Sequence, residues 1–295
     1  MVRMAGRSAR RGWRRAVRNA SGGRINLGPG RAELEHDRLV EVVNTPLVEA
    51  RRIAVVCRKG GCGKTTTSLM LGHTFAVHRR DRVVALDANP DAGSLGQRVR
   101  QRSEKTITDL LADRQLLTRY ADIQRYASKT PTGLDIVGSD NDPRISQRLG
   151  EADYRNAIDV LDRFYNIIVP DTGTGIMDPA VQGVLAEADQ LVLVIPPALD
   201  GARVAASTLD WLDNHGYAHL VRSSVGVISA VRGPSALELD LVEEHFVGRC
   251  AAVVKIPWDP ALSVGGSATL DDLLPATRNA YLDLAVAVAS QFATE

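Results

Sequence analysis

The run Arg52-Ile53-Ala54-Val55-Val56-Cys57, then Arg58-Lys59-Gly60-Gly61-Cys62-Gly63-Lys64-Thr65-Thr66, then Ser68-Leu69-Met70-Leu71-Gly72 decides the fold. An apolar run, a glycine-rich turn and an apolar helical stretch in that order read as strand, loop and helix, the context of a phosphate-binding P-loop. Residues 58–65 fit the pattern G-x-x-x-x-G-K-[ST] loosely, because Arg58 stands where a glycine usually opens the loop. The distinctive feature is a second lysine, Lys59, five residues before Lys64. Glycines at 60, 61 and 63 let backbone N–H groups turn inward around phosphate oxygens. The helix starting near Lys64 adds unpaired N–H groups and the positive end of its dipole. Lys64 is expected to reach the β- and γ-phosphates and the Thr65 hydroxyl to ligate Mg²⁺, with Cys62 and Thr66 completing the loop.

From Arg51 onward, strand candidates at 53–57, 82–87, 134–138, 166–171, 190–196, 225–230 and 251–257 alternate with helical stretches. The latter fall at 64–79, 105–118, 151–164, 178–187, 202–214 and 236–247. Runs of Val, Ile and Leu without alternation are buried on both faces, as in a parallel sheet covered by helices. The expectation is an α/β domain over 51–295, a doubly wound, mainly parallel sheet of about seven strands with ligands beyond the carboxyl ends of the strands. No internal repeat is visible.

The 295 residues suffice for one such domain plus an extension. Net charge is +1, but nine arginines and no acid lie between Met1 and Ala32, which leaves the remainder at −8. Residues 1–24 therefore read as an Arg-rich, unstructured arm, with Trp13, Ala16, Val17 and Ala20 as a weak apolar stripe if it folded on a partner. Residues 25–50 form a lead-in with a short helix over 32–43 and a break at Asn44-Thr45-Pro46. Three cysteines (57, 62 and 250) make no disulfide framework or CxxC pair, which fits a reducing cytoplasm. No apolar run reaches the roughly 18 residues of a membrane span; peripheral contact with the inner face of the membrane stays open. A block of positive charge attracts polyanions, whether DNA or anionic lipid.

Two further strands end in acids. Asn166-Ile167-Ile168-Val169-Pro170-Asp171 is followed by Thr172-Gly173-Thr174-Gly175, and a strand-terminal Asp171 suits Mg²⁺ through one carboxylate plus waters. Val83-Val84-Ala85-Leu86-Asp87 precedes Ala88-Asn89-Pro90-Asp91-Ala92-Gly93, which places Asp87 near the phosphates and leaves Asp91 as a turn residue or a site residue. No Asn-Lys-x-Asp or Thr-Lys-x-Asp guanine signature occurs, so ATP is the expected nucleotide.

With Lys59, Lys64, Asp87 and Asp171 in place, the chain resembles the ParA/MinD family of deviant-Walker (SIMIBI) ATPases over about residues 51–295; Lys59 to Thr66 meet its K-G-G-x-G-K-T-T pattern. The stretches Asp171 to Ile176, Gly183 to Gln190 and Pro196-Pro197-Ala198-Leu199-Asp200-Gly201-Ala202-Arg203 look like the MinD/ParA-type proteins of actinobacterial type VII (ESX) secretion loci, the EspI-like group. So does the basic lead-in from Gly12 to Pro29. The resemblance implies an ATP-dependent homodimer in which Lys59 reaches the partner's phosphates, and a secretion-system or membrane-associated protein as the wider partner.

Three departures qualify it. The family usually reads Asp-x-Asp-Pro after the second strand, whereas Asn89 stands at the second acid here. General-base assistance is worth about 10²–10⁴ in rate, so slow or partner-dependent hydrolysis is expected, with an amide still able to orient water. Where the family often has an adenine-contacting Asn, Val227-Ile228-Ser229-Ala230 puts Ser229; Pro257 and Asp259 in the following loop are expected to contact the base, mostly through backbone. Finally, Tyr281 to Ala289 has no Lys or Arg and is apolar nearly all round, which favours burial on the sheet over a membrane helix. The cysteines also miss the cluster-ligand position of a nitrogenase iron protein, and no substrate set of a dethiobiotin-synthetase relative appears. Asp87 and Asn89 join Lys59 and Lys64 as candidate catalytic residues. The open alternatives to an ATPase switch are ParA-like DNA partitioning and a nucleotide-locked, non-hydrolysing binding module.

Overall fold

Strand β1 (Arg51–Val56) opens the domain, followed in the chain by β2 (Val83–Ala88), β3 (Ser128–Lys129), β4 (Asp135–Val137), β5 (Ile167–Thr172), β6 (Gln190–Ile195), β7 (Val225–Ser229) and β8 (Ala252–Ile256). The computed structural model describes residue 8 and residues 12–90, 93–140, 142–229, 236–263 and 265–292; Asp91 and Ala230 lie outside them. All seven expected strands form. The additional β3 is a two-residue strand, antiparallel to β4 at one edge, while every other pairing is parallel. The sheet order is β3-β4-β2-β5-β1-β6-β7-β8.

That order places the site. From β1 the chain passes over the slot later filled by β5 to reach β2, and from β5 it passes over β1 to reach β6. The connections therefore diverge at β1, and the crevice beyond its carboxyl end is where an open α/β sheet holds its ligand.

Period-two alternation along each strand divides the core between two layers. Ala54 and Val56 of β1 face one cluster with Leu110, Tyr154, Val184 and Leu209. Ile53 and Val55 face the other with Leu69, Phe75, Tyr281 and Leu284. Helices Ile107–Ala112, Glu151–Asp162, Pro179–Glu187, Leu199–Asn214 and Ala236–Phe246 thus cover one face, and Lys64–His78 and Pro275–Ala289 the other. The last helix buries Tyr281, Leu284, Ala285 and Val288, as its all-round apolar character predicts. Helix 105–118 shrinks to Ile107–Ala112: a Thr106/Asp109 capping box fixes its start, and Asp113 turns to Lys105 Nζ (3.0 Å) and the Tyr126 hydroxyl (2.6 Å) instead of continuing it.

Residues Gly12–Ala20 are helical where arginine density predicts an unstructured arm. The Arg14 guanidinium donates to the carbonyls of Leu27 (3.2 Å) and Pro29 (3.4 Å), folding the helix back on the lead-in, while Trp13 stays exposed. Helix Arg31–Val43 packs on the carboxyl-terminal helix and buries Val43 completely. Among the described residues no helix is long and apolar enough to cross a membrane.

Candidate functional site

Strand β1 delivers the chain to a loop that only glycine can trace at two points. Gly61 (φ 70°) and Gly63 (φ 96°) are left-handed, and a Cβ on Gly63 would also come within 3.0 Å of Ser229 Oγ. Lys64 is the first residue of helix Lys64–His78 and is largely buried. It forms no ion pair among the described residues.

Asp87 and Asp171 are the penultimate residues of two adjacent strands and are register partners, both buried. Asp171 Oδ1 accepts the Ser68 hydroxyl at 2.9 Å, and its carboxylate also accepts that of Thr65. Asp87 accepts backbone N–H groups from Leu95 (3.0 Å) and Asn89 (3.3 Å) and from Gly96. Gly93 is required beside it, since a Cβ there would lie 2.1 Å from Asp87 Oδ2. Burial pushes the Asp87 carboxyl up to about 7, helped by the neighbouring Asp171 charge and opposed by the backbone bonds. Burial raises Asp171 too, against the hydroxyls of Thr65 and Ser68 and the charges of Lys64 and Arg98.

Above these carboxyls lies a cleft of about 760 Å³, large enough for a nucleotide. Gly60 to Thr66, Asn89, Ser229, Pro257 and Asp259 all line it, so the structure brings most of the expected set to one wall. Asp87 and Asp171 do not line it; they sit beneath, and Asp171 grips Thr65 from below. The Asp259 carboxylate accepts N–H groups from Ala261 (3.0 Å) and Leu274 (2.8 Å), which holds the loop. Lys59 also stays off the wall: its ammonium meets Asp200 Oδ2 at 2.6 Å, with both side chains well exposed. Asp200 lies in the first turn of helix Leu199–Asn214, within the Pro196–Arg203 stretch.

Several participants carried no sequence signal. Arg98 reaches the cleft from the loop after β2 and donates to Thr66 Oγ1 at 2.8 Å, and Ser94 Oγ lies 3.2 Å from Thr65 Oγ1. Ser68 stands one helical turn after Lys64, a spacing that could have marked it. Behind the loop the Cys57 and Cys62 thiols hydrogen-bond each other, and Cys57 Sγ accepts the Lys59 N–H at 3.4 Å. The bond from Cys62 draws the Cys57 thiol down to about 7 and leaves Cys62 raised. No His/Cys/Asp/Glu group able to hold a metal by itself occurs among the described residues.

The donor set fits a nucleoside polyphosphate with a hard cation. A glycine loop with left-handed Gly61 and Gly63 and two cations, Lys64 and Arg98, suit the phosphates. Thr65 and, beneath it, Asp171 would hold Mg²⁺, which supplies neutralisation of phosphate charge.

The model of the AAA domain family matches residues 50–217. Two curated sequences named ESX-1 secretion-associated protein EspI, from Mycobacterium tuberculosis strains CDC 1551 and H37Rv, are each 37% identical over 289 residues, 96% of this chain and 43% of theirs. The chain thus spans less than half the length of these relatives. Among solved structures, the ParA family ATPase from Chlorobium tepidum is similar with a TM-score of 0.64 at 21% identity, covering 80% of this chain and 98% of that one. The cell division ATPase MinD from Pyrococcus furiosus gives 0.64 at 20%, covering 82% and 99%. MinD from Pyrococcus horikoshii, solved with Mg-ADP, gives 0.63 at 17%, covering 83% and 96%. These structural likenesses speak to the fold, that of ParA and MinD ATPases; the family model, which matches more than half of the chain, means that the chain belongs to the AAA domain family.

Proposed function

We propose that this chain is an ATP-dependent switch: ATP drives two copies together across the P-loop face, slow hydrolysis separates them, and the dimer positions or regulates a partner assembly. The observation that carries this reading is Lys59. Its ammonium is held outside its own cleft by Asp200, an exposed pair of the kind that contributes little to stability and is readily exchanged for a better anion. A phosphate of a second copy is such an anion, and a lysine that serves its neighbour's nucleotide makes dimerisation depend on the γ-phosphate.

Likeness to EspI supports type VII secretion machinery as the assembly. The arginine-rich segment supports contact with a polyanionic surface, anionic lipid at the membrane's cytoplasmic face or DNA. Asn89 favours a second reading of the same site, a nucleotide-locked module with negligible turnover, because it lines the cleft where the family pattern has an acid. Size-exclusion chromatography with light scattering on wild type and Lys59→Ala, in ADP and in ATP, tests the switch. The expected result is a dimer for wild type in ATP alone and a monomer for Lys59→Ala throughout. Association indifferent to both nucleotide and Lys59 would remove it.

A further inference from the structure

Among the described residues of the cleft wall, Arg98 is the cation that the P-loop pattern does not account for. It stands at the end of the 3₁₀ turn Gly96–Arg98, half-buried, and its Nη1 donates to Thr66 Oγ1 at 2.8 Å. It forms no ion pair among the described residues; Asp171 attracts it from beyond salt-bridge range. Burial costs this guanidinium part of its hydration, and a neutral hydroxyl does not replace a counter-ion. A partly desolvated guanidinium whose hydrogen-bond partner among the described residues is a hydroxyl, in a cleft suited to phosphate, is an anion site.

Its place along the wall says which anion. Lys64 serves the β- and γ-phosphates, and Thr65 the metal between them. Asn89 and Thr174, which follow the two buried acids, mark the γ end. Arg98 is aimed by Thr66, one residue further into the helix, and lies near Tyr281, whose hydroxyl meets Thr67 one residue further still. The guanidinium therefore sits beside the start of the P-loop helix, past Lys64 and Thr65 on the Thr66 and Tyr281 side.

We propose that Arg98 is a second cationic clamp on the nucleotide, gripping through its planar fork the α- and β-phosphate oxygens that ATP and ADP share. The inference rests on the cleft being a nucleotide site. Its consequence is specific: Arg98 binds the nucleotide before and after hydrolysis alike, so ADP stays in place while the γ-phosphate alone governs dimerisation. The division of labour separates Lys59, which reads the γ-phosphate for the dimer, from Arg98, which retains the diphosphate for the monomer.

Calorimetric titration of the full chain with ADP and with the non-hydrolysable analogue AMP-PNP tests this, on wild type, Arg98→Ala, Arg98→Lys and Thr66→Val. Charge-assisted bonds to a partly buried anion predict that Arg98→Ala weakens both ligands by the same factor, about 10–100-fold. Arg98→Lys is expected to recover part of that affinity, keeping the charge and losing the fork. Thr66→Val, which frees the guanidinium from its aiming hydroxyl, should lower both affinities equally and by less. Should Arg98→Ala fail to fold, the lysine and Thr66 variants decide the matter alone. Unchanged affinities, or a loss confined to AMP-PNP, would overturn the clamp. Absence of ADP binding by wild type would instead overturn the nucleotide reading of the cleft.

Discussion

Asp87 carries a large electrostatic cost at the site. In an unfolded chain its carboxyl titrates near 3.8, whereas in the fold burial and the adjacent Asp171 hold it up to about 7. Between those values the folded protein keeps a proton that the unfolded chain has released, so ligand-free stability falls as pH rises from about 4 to about 7 and levels off above. Asp171, also raised by burial, works in the same direction. A shift of that size predicts a loss of about 2–3 kcal/mol between pH 5 and pH 8 from Asp87 alone. Urea unfolding at pH 5, 6, 7 and 8 should show Asp87→Asn with a flatter profile than wild type, whatever its absolute stability, since the amide keeps only one of the two acceptor oxygens that Leu95 and Asn89 use. Parallel profiles for the two proteins would refute the assignment. Functionally, the strain identifies a pair of acids that a phosphate-bound cation and Lys64 would relieve.

Helix packing sets where those acids sit. Helix Pro179–Glu187 follows the turn after Asp171 and lies against Glu151–Asp162 at a contact that admits no side chain: a Cβ on Gly183 would come 2.5 Å from the Glu151 carbonyl oxygen and 3.1 Å from Tyr154 Cβ. Gly183→Ala must push the helices apart, at a cost of about 1–3 kcal/mol in urea unfolding; an unchanged midpoint would mean the contact is slack. At this scale much was legible in the chain. Val-, Ile- and Leu-rich runs buried on both faces betray parallel strands, and their boundaries fall within a few residues of those expected. β3 was not legible, because two polar residues at an edge carry neither hydrophobicity nor alternation. The same division holds at the site. The P-loop and the strand-end acids are local patterns, whereas Lys59 meets Asp200 across 141 residues and Arg98 meets Thr66 across 32 through an irregular loop. Such pairings come from tertiary geometry, which no short spacing encodes.

The molecule as a whole is built differently at its amino end than a division into arm, lead-in and domain predicts. Helix Arg31–Val43 is part of the domain core: Val43 is fully buried, and Leu39, Val40, Val42 and Leu47 pack against the same cluster as the carboxyl-terminal helix. Polar contacts lock it there. Asn44 Nδ2 donates to the carbonyl of His78 at 2.9 Å, and the buried Arg79 guanidinium donates to the carbonyls of Val43 and of Thr45, the latter at 2.9 Å. Removing residues 1–50 would expose that cluster and leave Arg79 with Asp81 as its remaining partner. Burial of one valine contributes about 1.5–3 kcal/mol, and orphaned donors cost about 1–3 kcal/mol more. A protein beginning at residue 51 should therefore unfold about 3–6 kcal/mol more easily than the full chain, whereas one beginning at residue 25 should match it within about 0.5 kcal/mol, since helix Gly12–Ala20 contributes no residue to either buried cluster. Urea midpoints of the three proteins separate these outcomes. Equal midpoints for the two truncations would show that the lead-in is a passenger. The predicted split instead makes residues 25–50 structural and leaves the arginine-rich segment before them free to meet a polyanion without loosening the nucleotide fold.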